Sequence, residues 1–422
     1  MKGPSFTGPF EIAGFPRLFT AALVSGLGGS LVPIAFALES HRLEPSGWGL
    51  TAVLLSLWSG RFLGVFAVQR IRPARNPVRV MILSDLVRFI AQAGLLGWIL
   101  TLGTGSPPTG AITALSISSG VYGIALAFFQ PARFTVIPRL IPLEQRGRVN
   151  AWLSVLGDVF AISGPLLGSL VFLSLGFQAI LLIDSIGFLV GIAVLAGLRL
   201  SKSPSQTTPE ALASNGSNGS NGSNRVRAKL PPGINTGLAT WLFVALTIGL
   251  LGTAGPTLVI EQNSAATWAV TAAFMAAGSL VGSASSLLGF LRKVPWKYLH
   301  LLCCLSIATQ LLCFLLVPAP VLLWAAGFLG AALTTASGIQ WDTLGQSIGD
   351  DDQVHTFAVR DQIVNTVGVP AGMLLFGVAG AADATFLISA GVAGAVALMG
   401  VVITFAPQPT AATHRPLPTP VS

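Results

Sequence analysis

The chain has 422 residues, 52% of them hydrophobic and only 9% charged, where an ordinary soluble domain has roughly a quarter charged. So little charge excludes a fully solvated surface. The formal net charge of +8 does not mark a nucleic-acid binder, because the basic residues are spaced regularly between apolar runs, as membrane loops require.

The apolar runs are about 18–24 residues long, which suits helices crossing a ~30 Å hydrocarbon core and is about twice the length of a barrel strand. Backbone polar groups must be satisfied internally in lipid. The chain is therefore predicted to be an all-α membrane protein with 12 transmembrane helices in two six-helix bundles. In chain order the first six spans are Arg17 to Leu38, Trp48 to Phe66, Val80 to Leu102, Ala111 to Phe129, Asn150 to Phe172 and Gln178 to Leu198. The second six are Thr236 to Val259, Trp268 to Leu291, Tyr298 to Val317, Val321 to Ile339, Gln362 to Ala379 and Thr385 to Phe405.

With the N-terminus in the cytoplasm, 20 of the 23 Lys and Arg residues fall on the cytoplasmic side. Arg42 alone falls on the other side, and Arg61 and Arg88 lie within helices. The positive-inside rule then places both termini in the cytoplasm.

Residues 1–200 are read as an N-terminal bundle and residues 234–406 as a C-terminal bundle. Between them, 201–233 contains Ser-Asn-Gly repeats from Ser214 to Asn224 and has almost nothing to bury, which predicts a flexible linker. The Pro-rich end, 407–422, is predicted to be disordered.

The halves look alike. A short basic loop follows the second helix of each, Arg70 to Arg79 and Arg292 to Lys297. The fourth helix of each ends at a Gln beside a polar stretch, Gln130-Pro131-Ala132-Arg133 and Gln340-Trp341-Asp342. The fifth carries a mid-helix proline, Pro165 and Pro370. Two parallel repeats with a cavity near the midplane are a recognised transporter design.

Charges inside a spanning helix are functional candidates. Arg61 and Asp85 lie on antiparallel neighbours in the chain, each about 9 Å inside the membrane at 1.5 Å per residue, with Arg88 one turn beyond Asp85. They are expected to cluster, either as a static ion pair or as a gate. Asp158 and Asp184 are candidates for proton coupling, with a hydrogen-bonded carboxylate facing another helix as the alternative for each. Asp350-Asp351-Asp352 reads as a solvated loop or as a partner for the basic loops of the other half, and His300 as structural.

Cys303, Cys304 and Cys313 share one apolar run and read as packing residues. The sequence shows no cleavable signal peptide pattern. No Gly-x-x-x-x-Gly-Lys phosphate loop and no His-Glu-x-x-His site are found, so the reading is a transporter, not an enzyme, and calls for neither cofactor nor metal.

Four stretches carry a family likeness: Phe15-Pro16-Arg17-Leu18-Phe19 with Val24-Ser25-Gly26-Leu27-Gly28; Arg79 to Arg88; Phe128-Phe129-Gln130-Pro131-Ala132-Arg133; and Ile183 to Phe188. In their order and spacing the chain resembles the major facilitator superfamily, and within it the bacterial drug and siderophore exporters related to enterobactin and macrolide efflux proteins. The resemblance implies a monomer in the bacterial inner membrane that exports a small amphipathic compound by proton antiport and binds no nucleic acid. It also leaves two alternatives, an importer or facilitator, and a transporter-like sensor that moves nothing.

Two family motifs map onto this sequence. Gly64-Val65-Phe66-Ala67 and Arg70 match the basic loop motif, but Val68-Gln69 stand where the family's gate-locking Asp is expected. Gly157 and Gly164-Pro165-Leu166-Leu167-Gly168-Ser169 match the exporter motif of the fifth helix, with Ser169 for the last Gly. The resemblance makes Gly157, Gly164 and Gly168 a face that slides or seals. Gly29 stands where relatives often carry an acid, so no proton-coupling role falls there.

The fold implied by the resemblance lines its cavity with helices one, four, seven and ten. Candidates are Gln130, Gln340 and Trp341, with Ser25, Ser30, Phe36, Tyr122, Phe128, Thr247, Thr253, Thr334 and Thr335. This lining holds no charge at the midplane, which argues against a strongly ionic substrate.

Overall fold

The computed structural model of the protein describes residues 8–71, 74–101, 107–200, 228–290, 294–316, 319–382 and 384–407. The predicted linker and tail, apart from residues 228–233 and 407, lie outside the described residues, as does much of the second basic loop.

A short 3-10 turn at Gly8–Glu11 precedes twelve helices: α1 (Phe15–Leu43), α2 (Trp48–Arg70), α3 (Pro77–Thr101), α4 (Pro108–Leu140), α5 (Leu143–Leu175), α6 (Phe177–Ala196), α7 (Ile234–Gln262), α8 (Ala265–Leu288), α9 (Trp296–Leu316), α10 (Pro320–Gly345), α11 (Asp351–Ala381) and α12 (Thr385–Phe405). All twelve are long and apolar enough to cross a membrane. Each matches a predicted span, and no strand occurs among the described residues.

Local chemistry sets several helix ends. Pro108 and Pro320 open α4 and α10, where a missing N–H costs nothing. Ser264 caps α8 by accepting from the Thr267 N–H. Gly289 ends α8 in the left-handed conformation at φ 83°, which closes the last turn. Asp350 and Gln353 form a capping box on α11, so the acidic run is a helix start rather than a loop.

Most helices run a few residues past their predicted spans, and four do so by six residues or more. α4 continues past Phe129 to Leu140, α5 starts at Leu143, α10 runs on to Gly345 and α11 starts at Asp351. These extensions hold Arg133, Arg139, Arg148, Asp342 and Asp361, whose charges lower the hydropathy without breaking the helix.

The packing repeats six helices on. α1 packs on α5 and α6, α2 on α4, and α3 on α4 and α6; α7 packs on α11 and α12, α8 on α10, and α9 on α10 and α12. Small residues allow close crossings: Gly60 and Gly64 of α2 against α4, Gly278 and Gly282 of α8 against α10, and Gly249 and Gly372 between α7 and α11. The bundles meet where α5 touches α8 and α10, mirrored by α11 against α2 and α4. α1 starts and α12 ends at one face, called basal here.

Candidate functional site

Asp85, Arg88 and Gln92 follow at helical spacing along α3, so they share one face. That face meets α6, which brings Asp184, Ser185 and Phe188, and lies beside α1 and α4. Asp85 and Arg88 form an ion pair almost out of contact with solvent. The Arg88 guanidinium is caged by aromatic faces, 4.4 Å from the Phe129 ring, 4.8 Å from Phe188 and 5.6 Å from Tyr122.

Asp184 is 0% exposed, and among the described residues neither of its carboxylate oxygens has a hydrogen-bond partner. It sits so close to α1 that a Cβ on Gly28 would lie 2.8 Å from its Cα. Arg88 and Asp85 are the charged groups whose fields reach it, with the Gln92 amide close by. Two buried carboxylates thus lie within reach of one buried guanidinium.

Arg88 and Tyr122 also face a cavity of about 500 Å³, lined by first-bundle residues of α1, α3, α4 and α5. Its wall includes Ser25, Gly29, Ser30, Phe129, Gln130, Arg133, Phe160 and Pro165. A second cavity of about 430 Å³ lies between the bundles and holds Arg61, Arg133, Asp342 and Asp361. Gln130 and Arg133 line both. Among the described residues Arg133 has no hydrogen-bond or ion-pair partner, and Asp342 is the carboxylate whose field acts on it.

Polar contacts join the bundles in the basal halves of their helices. Asp158 on α5 accepts from Ser279 at 2.7 Å and Ser283 at 2.6 Å on α8. Asn150 exchanges hydrogen bonds with Gln346 and donates to Thr343. Arg146 donates to the Gln346 carbonyl. Arg139 on α4 pairs with Asp351 on α11 at 3.1 Å, and Phe134 stacks on Phe357 with ring centroids 5.5 Å apart.

Several expectations need correction. Arg61 is apart from the Asp85–Arg88 pair: its guanidinium lies 4.9 Å from the Trp58 ring and faces the interbundle cavity. Depth alone placed them together, but α2 packs on α4, not on α3. The exporter-motif glycines also divide. A Cβ on Gly164 would lie 2.7 Å from the Ser30 carbonyl oxygen, and one on Gly168 would strike Ile34, whereas one on Gly157 meets nothing within 4 Å. Gly164 and Gly168 form the α1–α5 contact, and Gly157 does not.

Gln340 lines a side pocket and donates to the Val294 carbonyl. Trp341 is buried in the second bundle, beside Trp241 and Trp296, and donates to Asp361 at 2.8 Å. Neither lines the two cavities. Phe36 is buried against Phe177, and Phe128 faces a lateral groove. The cavity wall does carry charge, Arg88 and Arg133, contrary to the neutral lining expected.

Gly64 packs on α4 at Ile124 and Ala127, Arg70 ends α2 exposed, and Pro165 lines the first cavity. His300 is structural, bracketed by Ser337 at 3.1 Å and Thr240 at 2.9 Å. Asp361 escaped the sequence reading because the predicted span began one residue later. Ser279 and Ser283 carry no sequence signal that separates them from packing serines.

The sequence profile of the Major Facilitator Superfamily matches residues 18–361. The chain is similar to the MFS-type transporter YkuC of Bacillus subtilis (strain 168), 26% identical over 201 residues, which is 47% of this chain and 44% of that one. The match thus spans less than half of that relative. Among solved structures it is similar to a bacterial homologue of the iron transporter ferroportin in an outward-facing state, with a TM-score of 0.74 and 14% identity over 92% of this chain and 98% of that one. It is also similar to FucP of E. coli in the outward conformation, with a TM-score of 0.64 and 13% identity over 93% and 99% of the two chains. These structural likenesses concern the fold.

Proposed function

The chain belongs to the Major Facilitator Superfamily and is a multi-pass membrane transporter, and from that premise we propose that it exports a small amphipathic organic compound, a drug, natural product or siderophore, in exchange for protons. Alternating access moves the compound across a bacterial inner membrane, with the basal face and both chain ends in the cytoplasm.

The observation that carries this reading is Asp184 behind the cavity wall. Two carboxylates and one guanidinium leave one negative charge in excess, and a buried uncompensated charge is costly. A proton on Asp184 balances the cluster. Arg88 touches both the cavity and Asp85, so the charge and position of a ligand in that cavity bear on the balance at Asp184 and, with it, on the proton. Asp158 has a different part. Its two hydroxyl donors hold it as a latch between α5 and α8.

The basal contacts support an outward-open form, in which the first-bundle cavity faces the distal side. Arg139–Asp351 joins α4 to α11 and supplies a locking charge pair where the sequence lacks the family's loop Asp.

The test uses everted membrane vesicles with an internal pH indicator and a panel of amphipathic drugs. At least one compound is expected to dissipate the pH gradient only when the protein is present. A compound that instead accumulates inside intact cells carrying the protein overturns the export direction.

A further inference from the structure

We propose that the transported compound is an organic anion, and that Arg133 holds its charged group in competition with Asp342. This rests on the transport reading and names the substrate class of the same cavity.

The first-bundle cavity has an apolar wall, Ile34, Leu126, Phe129, Phe160 and Pro165 among it, and two guanidinium groups. No Asp or Glu is among the described residues that line it. The two arginines are not equivalent. Arg88 is committed to Asp85 and to three aromatic faces. Arg133 makes neither hydrogen bond nor ion pair among the described residues, although it is a planar donor with five N–H groups. Such a group, held away from bulk water, recognises a carboxylate, sulfonate or phosphate with two parallel hydrogen bonds. The apolar wall takes the rest of the molecule.

Arg133 also explains why binding is tied to the gate. It lines the interbundle cavity as well, where Asp342 of α10 acts on it across the bundle boundary. The other carboxylate there, Asp361, is already bonded to the Trp341 indole. The other guanidinium, Arg61, is stacked on Trp58. Arg133 is therefore the charged group shared by both cavities. An anion bound to Arg133 screens its attraction to Asp342 and loosens the first bundle from the second at their basal contact. Ligand occupancy and opening of the basal side are coupled through one side chain.

The experiment is equilibrium binding to the purified full chain in lipid nanodiscs, using a series of aryl-alkyl carboxylates, each paired with its primary amide. At least one carboxylate is expected to bind about tenfold or more tightly than its amide, the span of one charge-assisted hydrogen bond. Arg133→Gln reduces that preference to about twofold or less, and Arg133→Lys keeps part of it. Asp342→Asn removes the competitor and tightens carboxylate binding, which a merely structural role for Arg133 does not produce.

Amides binding as tightly as their acids, no carboxylate binding at all, discrimination surviving in Arg133→Gln, or weaker carboxylate binding in Asp342→Asn each overturns the proposal. No proton gradient enters this measurement. Its failure leaves the antiport reading standing, and failure of that reading shows in the vesicle assay.

Discussion

The Ser283 hydroxyl on α8 donates to the Asp158 carboxylate on α5 at 2.6 Å, a hydrogen bond between the two bundles. Ser279 adds a second at 2.7 Å and also contacts Thr335 on α10. A hydrogen bond to a charged acceptor contributes about 1.5–3 kcal/mol, so this pair weighs heavily in the balance between closed and open basal states. The double variant Ser279→Ala with Ser283→Ala is expected to open the basal side about a hundredfold more often. A cysteine at Gly338, which lines the interbundle cavity with room for a side chain, reports it through maleimide labelling in everted vesicles. Unchanged labelling means that Asp158 is no latch.

Arg139 and Asp351 lie at the same boundary but are partly solvated, with 14% and 28% of their side chains exposed. Such a pair contributes about 1 kcal/mol or less. Arg139→Glu is expected to raise labelling of the same cysteine a few-fold, and adding Asp351→Arg is expected to reverse much of that. If the second change brings no recovery, the pair does not couple α4 to α11.

The exporter-motif glycines separate cleanly by substitution. Gly157→Ala meets open space and is expected to leave melting temperature and transport near those of the parent. Gly164→Ala forces α5 from the Ser30 backbone and is expected to cost about 1–3 kcal/mol, the scale of overpacking. Thermal unfolding in detergent measures both, and equal losses in the two variants contradict the α1–α5 contact described here.

The twelve helices were readable because lipid imposes length and hydropathy on every span, and each predicted span has its helix. The ends of α4, α5, α10 and α11 were harder, since charges such as Arg133 and Asp361 mimic a loop in a hydropathy reading. They lie in continuous helix all the same, Arg139 paired with Asp351 of the other bundle and Asp361 bonded to Trp341 within its own. The Asp85–Arg88 pairing was visible as helical spacing. Arg61 was misplaced because sequence gives the depth of a residue, not the direction it faces around its helix, and that direction follows from α2 packing on α4. The choice between Asp158 and Asp184 was open for the same reason. Only the packing shows that, among the described residues, one carboxylate has two hydroxyl partners and the other has none.

Asp85 and Arg88 are a buried pair, and removing one partner of such a pair costs about 3–5 kcal/mol. Asp85→Ala is expected to lower the melting temperature strongly, with Asp85→Asn milder because the amide oxygen still accepts from Arg88. Near-parental stability of Asp85→Ala contradicts an intact pair in the folded protein.

Asp184→Asn keeps the side-chain shape and removes the proton site. In proteoliposomes with a transported compound found by the vesicle screen, the parent is expected to drive uphill movement from a pH gradient. Asp184→Asn is expected to lose that drive while still exchanging labelled for unlabelled compound across the membrane. Uphill transport surviving in Asp184→Asn contradicts proton coupling at this cluster.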